Sequence, residues 1–214
     1  MERAPSKKSN PTFSDQARVW FKGILDPLGG FFNRIGLMPN TMTILGLVGN
    51  IVGAIFLAQG QFLVGGILIL LMGPIDVLDG TMARLRGMAS SYGAFIDSVS
   101  DRYSELIIFA GLLYYYQGQS NDLAVLLVYA AAAGSVLVSY IRARGLSLGW
   151  ETKVGILTRF ERYLVLAPAL VFSFLSPLIP LIAIAIIAVL ANVTALQRII
   201  DIRRQARINS HADA

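Results

Sequence analysis

Cysteine is absent from the 214-residue chain, and the only histidine, His211, lies three residues from its end. Without cysteine, the chain can form no disulfide framework and offers no thiolate as a nucleophile or metal ligand. Charged residues make up 14% of the chain, whereas about a quarter is usual for a soluble domain. Hydrophobic residues make up 55%, which is more than one soluble core can use. This composition predicts a membrane protein.

Long apolar runs recur along the chain, and each approaches or exceeds the ~20 residues with which a helix crosses a bilayer. We therefore predict an all-α, polytopic membrane protein with six transmembrane helices. The predicted spans cover residues 40–59, 62–85, 92–117, 121–144, 157–176 and 178–202. The first thirty residues lack a short apolar core followed by a small-residue cleavage site, so we expect no cleaved signal peptide.

The basic residues are distributed unevenly between the predicted turns. No Lys or Arg occurs in the turns after the first, third and fifth spans. All 18 basic residues lie in the N-terminal arm, the other two turns, the C-terminal tail or the helix ends on that same side. The positive-inside rule then predicts a multi-pass protein of the cell (plasma) membrane with both termini and the active site in the cytoplasm. The net charge of +5 is interpreted as a topology signal and an attraction to anionic lipid headgroups, not to nucleic acid.

The chain divides into four segments by composition. Residues 1–11 are predicted to form a disordered basic arm. Residues 12–37 mix apolar and charged side chains in a pattern typical of an amphipathic helix in the membrane interface, although a cytoplasmic helix packed on the bundle fits the same pattern. Residues 38–205 are predicted to form a six-helix transmembrane catalytic domain, and residues 206–214 a cytoplasmic tail.

Two pairs of aspartates occur where the surrounding residues are apolar. Asp76 and Asp79 are three residues apart near the end of the second span, and Asp97 and Asp101 are four apart at the start of the third. Each spacing places a pair on one helix face, and the short intervening turn makes the helices antiparallel neighbours. Four such carboxylates repel one another unless some are protonated or cations neutralise them. Oxygen ligands without His or Cys suit magnesium, manganese or calcium, and Arg84 beside them favours a phosphate-bearing substrate.

Two other interpretations fit part of this pattern. The acids could pair with neighbouring arginines as helix-end salt bridges, but four intramembrane acids at these spacings are costly to retain without a function. An ion-coupled membrane transporter also uses intramembrane acids. A transporter predicts acids spread across the depth of the bilayer, whereas these acids cluster at the cytoplasmic end.

One stretch resembles the full signature of the CDP-alcohol phosphotransferases: Asp76-x-x-Asp79-Gly80-x-x-Ala83-Arg84, then eight residues, then Gly93-x-x-x-Asp97-x-x-x-Asp101. The resemblance implies displacement of CMP from a CDP-alcohol, usually CDP-diacylglycerol, by the hydroxyl of a second alcohol. It implies a Mg²⁺ or Mn²⁺ site formed by Asp76, Asp79, Asp97 and Asp101, with Asp101 as the catalytic base. It implies a CDP pocket lined by Asp79, Gly80, Ala83, Arg84 and Gly93. It also implies a homodimer.

The acceptor alcohol is indicated by arginines at the cytoplasmic mouth. The segments "SYIRARG" and "LTRFERY" place four guanidinium groups there, on Arg142, Arg144, Arg159 and Arg162. They can bind the phosphate of a phosphorylated acceptor, or can act only as topology-setting charge. The segments resemble the branch of the family that uses inositol phosphate and makes phosphatidylinositol phosphate, although Arg142 stands where that branch usually has Lys. Glycerol 3-phosphate, as in phosphatidylglycerolphosphate synthesis, and an unphosphorylated alcohol are the alternative acceptors.

Overall fold

A computed structural model describes residues 13–212, so the predicted arm at residues 1–11 lies outside the described residues. Within that range the prediction of an all-α chain is confirmed, because every regular element is a helix. The α-helices are α1 (Phe13–Arg34), α2 (Pro39–Ala58), α3 (Phe62–Leu85), α4 (Ser91–Gly118), α5 (Asp122–Ser147), α6 (Arg159–Val171) and α7 (Leu178–Ala212). A single 3₁₀ turn, Phe172–Phe174, follows α6.

Helices α2 to α7 lie at the six positions predicted as membrane spans. Four of them, α2, α3, α5 and α7, are long and apolar enough to cross a membrane. Helix α4 is 28 residues long, but acidic and basic side chains occupy its first half. Helix α6 has only 13 residues before the 3₁₀ turn. The described residues therefore have the helix length and composition of a membrane protein, and the crossing of α4 and α6 stays a prediction.

The buried core joins all the helices from α2 to α7. Its centre consists of fully or almost fully buried side chains, among them Leu57, Ile69, Leu112, Leu170 and Ile184. A smaller cluster of Met42, Leu78 and Met82 packs α2 on α3 where the partly buried Leu25 and Phe32 of α1 cover them. Many large apolar side chains stay exposed on the outside of the bundle, as is expected of surfaces that face lipid.

Helix α2 lies against both α3 and α4, and glycines allow the backbones to approach closely. A Cβ atom at Gly65 would lie 2.8 Å from the carbonyl oxygen of Gly53. At Gly111 it would lie 3.1 Å from the carbonyl carbon of Ala54 and closer still to its oxygen. Because such contacts are backbone to backbone, only glycine fits without movement of a helix. The close packing brings the ends of α3 and α4, which carry the four aspartates, to one end of the bundle.

We expect Gly111→Ala to destabilise the protein by about 1–3 kcal/mol, because the added methyl group forces α2 away from α4. The matched control is Gly118→Ala in the same helix, where a Cβ atom meets nothing within 4 Å. Thermal unfolding in detergent measures both variants. The control is expected to be neutral or slightly stabilising, since alanine favours helix more than glycine does. Equal effects of the two substitutions would show that the α2–α4 approach is not tight.

Candidate active site

Three of the four predicted aspartates come together at the ends of α3 and α4. One carboxylate oxygen from each of Asp76, Asp97 and Asp101 lies within 4.8 Å of the other two. Asp101 is buried, and Asp76 and Asp97 are half-buried. Since carboxylate oxygens are preferred ligands of divalent cations such as Mg²⁺ and Mn²⁺, these three residues are a cluster that can hold one metal ion.

Asp79 is buried beside this cluster, but its two oxygens have partners of their own. The hydroxyl of Thr43, from α2, donates a hydrogen bond of 2.5 Å to Asp79 Oδ2. The backbone N–H of Gly80 donates to Asp79 Oδ1. Thr43 is itself buried, so α2 fixes the orientation of this carboxylate. The sequence analysis did not assign a function to Thr43, and the role of Asp79 as a metal ligand stays a prediction.

Two arginines form ion pairs with the cluster. Arg102 of α4 places its Nη1 atom 3.7 Å from Asp101 Oδ2. The second, at shorter distances, is Arg159, the first residue of α6. Its Nη2 atom lies 2.7 Å from Asp76 Oδ2 and 2.7 Å from Asp101 Oδ1. The arginine side chain is 41% exposed, whereas those of Asp76 and Asp101 are 16% and 11% exposed. The guanidinium therefore bridges α3 and α4 from the open side of the cluster.

Arg162 forms a second ion pair between α4 and α6, and this pair is buried. Its Nε donates to Glu105 Oε1 at 2.7 Å and its Nη2 donates to Glu105 Oε2 at 3.1 Å. Its Nη1 donates to the carbonyl of Leu157 at 3.3 Å, and the residue is 2% exposed. Glu105 lies one helical turn beyond Asp101, as Arg162 does beyond Arg159, so the two ion pairs follow one another along the α4–α6 contact. In the sequence, the four-residue spacing from Asp101 places Glu105 on the same helix face as the aspartates. The spacing does not show that Arg162 is its partner.

The residues predicted to line a CDP pocket lie on the last turns of α3 and the first turn of α4: Asp79, Gly80, Ala83, Arg84 and Gly93. Arg84 is exposed, and its Nη2 donates to the hydroxyl of Thr81 at 2.9 Å. The N–H of Gly93 donates to Ser90 Oγ at 3.0 Å, which caps the start of α4. These residues therefore share one end of the α3–α4 pair with the aspartates.

The remaining predicted arginines, Arg142 and Arg144, are exposed near the C-terminal end of α5. The sequence analysis did not single out Arg198 of α7, which is 3% exposed. Its Nε donates to the carbonyl of Val154 at 3.0 Å and its Nη1 to the carbonyl of Val138 at 2.6 Å. Arg198 therefore ties α7 to α5 and to the connection before α6. Its apolar neighbours in sequence give no local sign of this contact.

Comparison with known proteins identifies the same type of site. The sequence profile described as CDP-alcohol phosphatidyltransferase matches residues 36–197. The phosphatidylinositol phosphate synthase of Streptomyces avermitilis is 39% identical over 209 residues, which cover 92% of this chain and 84% of that protein. The archaetidylinositol phosphate synthase of Methanothermobacter thermautotrophicus is 35% identical over 192 residues, which cover 89% of this chain and 94% of that protein.

Solved structures of a third relative resemble the described fold. The Mycobacterium tuberculosis phosphatidylinositol phosphate synthase with CDP-DAG bound superposes with a TM-score of 0.79 at 28% identity, covering 84% of this chain and 93% of that one. The same protein in complex with manganese and citrate also gives a TM-score of 0.79 at 28% identity, with coverages of 83% and 88%. The relatives described above are all synthases, so they give no support to the alternative prediction of an ion-coupled transporter.

The buried ion pair generates a prediction about stability. Glu105→Gln leaves the buried Arg162 guanidinium without a countercharge, and we expect a loss of about 3–5 kcal/mol of unfolding free energy. The matched control is Glu151→Gln, whose side chain is 55% exposed and pairs with Lys153 at 3.0 Å. Exposed pairs contribute about 0–1 kcal/mol. Thermal unfolding of both variants in detergent checks the difference, and a Glu105→Gln variant as stable as the control would contradict it.

Proposed function

Because the chain belongs to the CDP-alcohol phosphatidyltransferase family, we propose that it transfers the phosphatidyl group of CDP-diacylglycerol to inositol phosphate. The products are phosphatidylinositol phosphate and CMP, so the reaction is a step of phospholipid biosynthesis. The observation that carries the proposal is the cluster of Asp76, Asp97 and Asp101, with a guanidinium from α6 at its open side. The names of the three relatives support inositol phosphate as the acceptor over glycerol 3-phosphate.

We assign a divalent cation, Mg²⁺ or Mn²⁺, to Asp76, Asp97 and Asp101, with Asp79 as a further ligand. The fit rests on the donor set, because three carboxylates without His or Cys suit hard cations. When bound, such a cation neutralises negative charge on the diphosphate of the donor. The manganese complex of the Mycobacterium tuberculosis relative supports the choice.

Asp101 is the proposed general base. It is buried in the cluster, where Arg159 reaches it from the side open to solvent. In the proposed step its carboxylate takes the proton of the acceptor hydroxyl, whose oxygen attacks the phosphorus attached to the diacylglycerol. The bond from that phosphorus to the bridging oxygen breaks, and CMP leaves. Transfers of this kind depend mainly on positioning and charge neutralisation, with one base near the nucleophile.

The proposed CDP pocket uses small residues and one cation. Gly80, Ala83 and Gly93 present little side chain, so a flat ligand can approach the helix backbones closely. Arg84 is exposed at the end of α3 and can form charge-assisted hydrogen bonds with a phosphate. Asp79, oriented by the hydroxyl of Thr43, completes this side of the pocket.

The four arginines proposed for the phosphate of the acceptor differ in what holds them. Arg142 and Arg144 are exposed and Arg159 lies at the edge of the acids, so these three can turn toward a ligand in the mouth. Arg162 is buried and already donates to Glu105 and to the carbonyl of Leu157, so it is the least free of the four to reach a ligand. Arginine suits this function because its planar donors match phosphate oxygens.

We propose a plasma-membrane arrangement in which all of α2 to α7 cross the bilayer and α1 lies in the cytoplasmic interface. Both termini and the active site then face the cytoplasm. The apolar outer surface of the bundle supports this placement, and the position of the basic residues supports the orientation. A homodimer is proposed from the family resemblance.

The proposed reaction is tested by CMP release from CDP-diacylglycerol in Mg²⁺ with separate acceptors: inositol phosphate, glycerol 3-phosphate and free inositol. We expect activity with inositol phosphate, and a loss of about 10³-fold in Asp101→Asn because the base is removed. Chelation of the metal is expected to abolish release. Release no higher than that of Asp101→Asn with every acceptor would refute the enzyme, and preference for glycerol 3-phosphate would make it a phosphatidylglycerolphosphate synthase.

The proposed acceptor site predicts a change in KM. Arg144→Gln removes a charged donor from the phosphate, so we expect the KM for inositol phosphate to rise about tenfold while kcat changes little. The control is Arg203→Gln on the exposed end of α7. Steady-state kinetics at saturating CDP-diacylglycerol measure both variants. An unchanged KM in Arg144→Gln would remove this residue from the acceptor site.

A further inference from the structure

We infer that Arg159 and a divalent cation compete for the carboxylates of Asp76 and Asp101. Arg159 is then a positioning residue: it holds Asp76 and Asp101 together, and cation binding releases it toward the acceptor. The inference deepens the proposed function and rests on it, since it assumes that the aspartate cluster binds a metal.

The contacts of Arg159 place one positive charge where the cluster offers its oxygens. A single nitrogen, Nη2, touches both Asp76 Oδ2 and Asp101 Oδ1 at 2.7 Å. The same two residues contribute oxygens to the three-carboxylate cluster. A cation bound by these carboxylates lies within a few ångströms of Nη2, and two positive charges at such a separation repel one another in a partly buried place. The guanidinium and the metal therefore compete for these carboxylates.

The position of Arg159 at the start of α6 is electrostatically unfavourable for a cation. Arg159 is the first residue of α6, and the positive end of the helix dipole disfavours a cation there. The next acidic residue, Glu161, fits the dipole and accepts a hydrogen bond from the hydroxyl of Thr158. The helix dipole thus favours the acidic residue at position 161 but disfavours the arginine at position 159. The ion pairs with Asp76 and Asp101 compensate for the unfavourable position of Arg159.

The two ion pairs between α4 and α6 differ in their freedom to break. The Arg159 side chain is 41% exposed, so water can solvate the guanidinium as it leaves. The Arg162 side chain is 2% exposed and makes two hydrogen bonds to Glu105, so its separation would strand a buried charge. The Arg162–Glu105 pair therefore holds α6 against α4 while Arg159 moves.

Release of Arg159 links the metal to the acceptor. Once its guanidinium has left Asp76 and Asp101, an anionic group in the mouth becomes its partner, and the phosphate of the acceptor is such a group. Linkage is reciprocal, so a phosphate that holds Arg159 away from the acids also tightens cation binding. The cation and the acceptor are therefore each expected to tighten the binding of the other.

The test is Mn²⁺ binding to the full-length chain in detergent, followed by electron paramagnetic resonance, in the wild type, Arg159→Gln and Arg203→Gln. If Arg159 competes with the metal, Arg159→Gln binds Mn²⁺ about tenfold more tightly than the wild type. Arg203→Gln removes the same charge from the exposed end of α7, outside the proposed site, and its affinity stays within about twofold because exposed charges are screened. Equal affinity of Arg159→Gln and the wild type, or equal tightening in both variants, overturns the inference.

Thermal unfolding with and without Mn²⁺ is a second measurement. Loss of an arginine with only a structural role would destabilise the protein equally in both conditions. Without metal, Arg159→Gln unfolds at a lower temperature than the wild type, because Asp76 loses its ion pair with Arg159 and Asp101 keeps only the longer one with Arg102. Saturating Mn²⁺ removes the difference. A variant that stays unfolded or destabilised in saturating Mn²⁺ overturns the inference. Absence of Mn²⁺ binding in all three proteins has a different meaning, because it refutes the proposed metal site itself.

Discussion

Repulsion among carboxylates at one end of α3 and α4 is the constraint on which the rest of the site depends. Asp76, Asp97 and Asp101 share a space in which one oxygen from each lies within 4.8 Å of the others, and such groups come together only where protons or cations neutralise part of their charge. The protein supplies cations from Arg159 of α6 and Arg102 of α4. The buried Arg162–Glu105 pair links α4 to α6 one helical turn from Asp101 and helps to keep that geometry.

The parts of the site that could be predicted are those determined by short sequence separations. Spacings of three and four residues place Asp76 with Asp79 and Asp97 with Asp101 on single helix faces, and the short connection places the two pairs at the same depth. Contacts across long separations were beyond such reasoning. Arg159 meets Asp76 over 83 residues and Thr43 meets Asp79 over 36. Periodicity shows which face a residue occupies, but it does not show which helix that face meets.

The helices were predictable from hydropathy, and the ambiguity in the membrane spans has a physical cause. Helices α2, α3, α5 and α7 are apolar enough to be recognised as spans by composition. Helix α4 carries Asp97, Asp101 and Glu105, and the start of α6 carries Arg159 and Arg162. In α4 these charged residues lower the hydropathy of the helix that holds them, so function and a clear membrane signal are in conflict there. Helix α6 is not recognised as a span because it has only 13 residues.

The distance in sequence between the aspartates and Arg159 has a consequence for biosynthesis. A ribosome makes the α3–α4 hairpin, with all four acids, well before it makes residue 159, which lies 83 positions after Asp76. During that interval the carboxylates have no countercharge from α6. Arg102, which is made with the hairpin, lies beside Asp101, and metal ions or protons must neutralise the remaining negative charge. Insertion of the nascent chain should therefore depend on the metal ions and the pH around it before α6 has been synthesised.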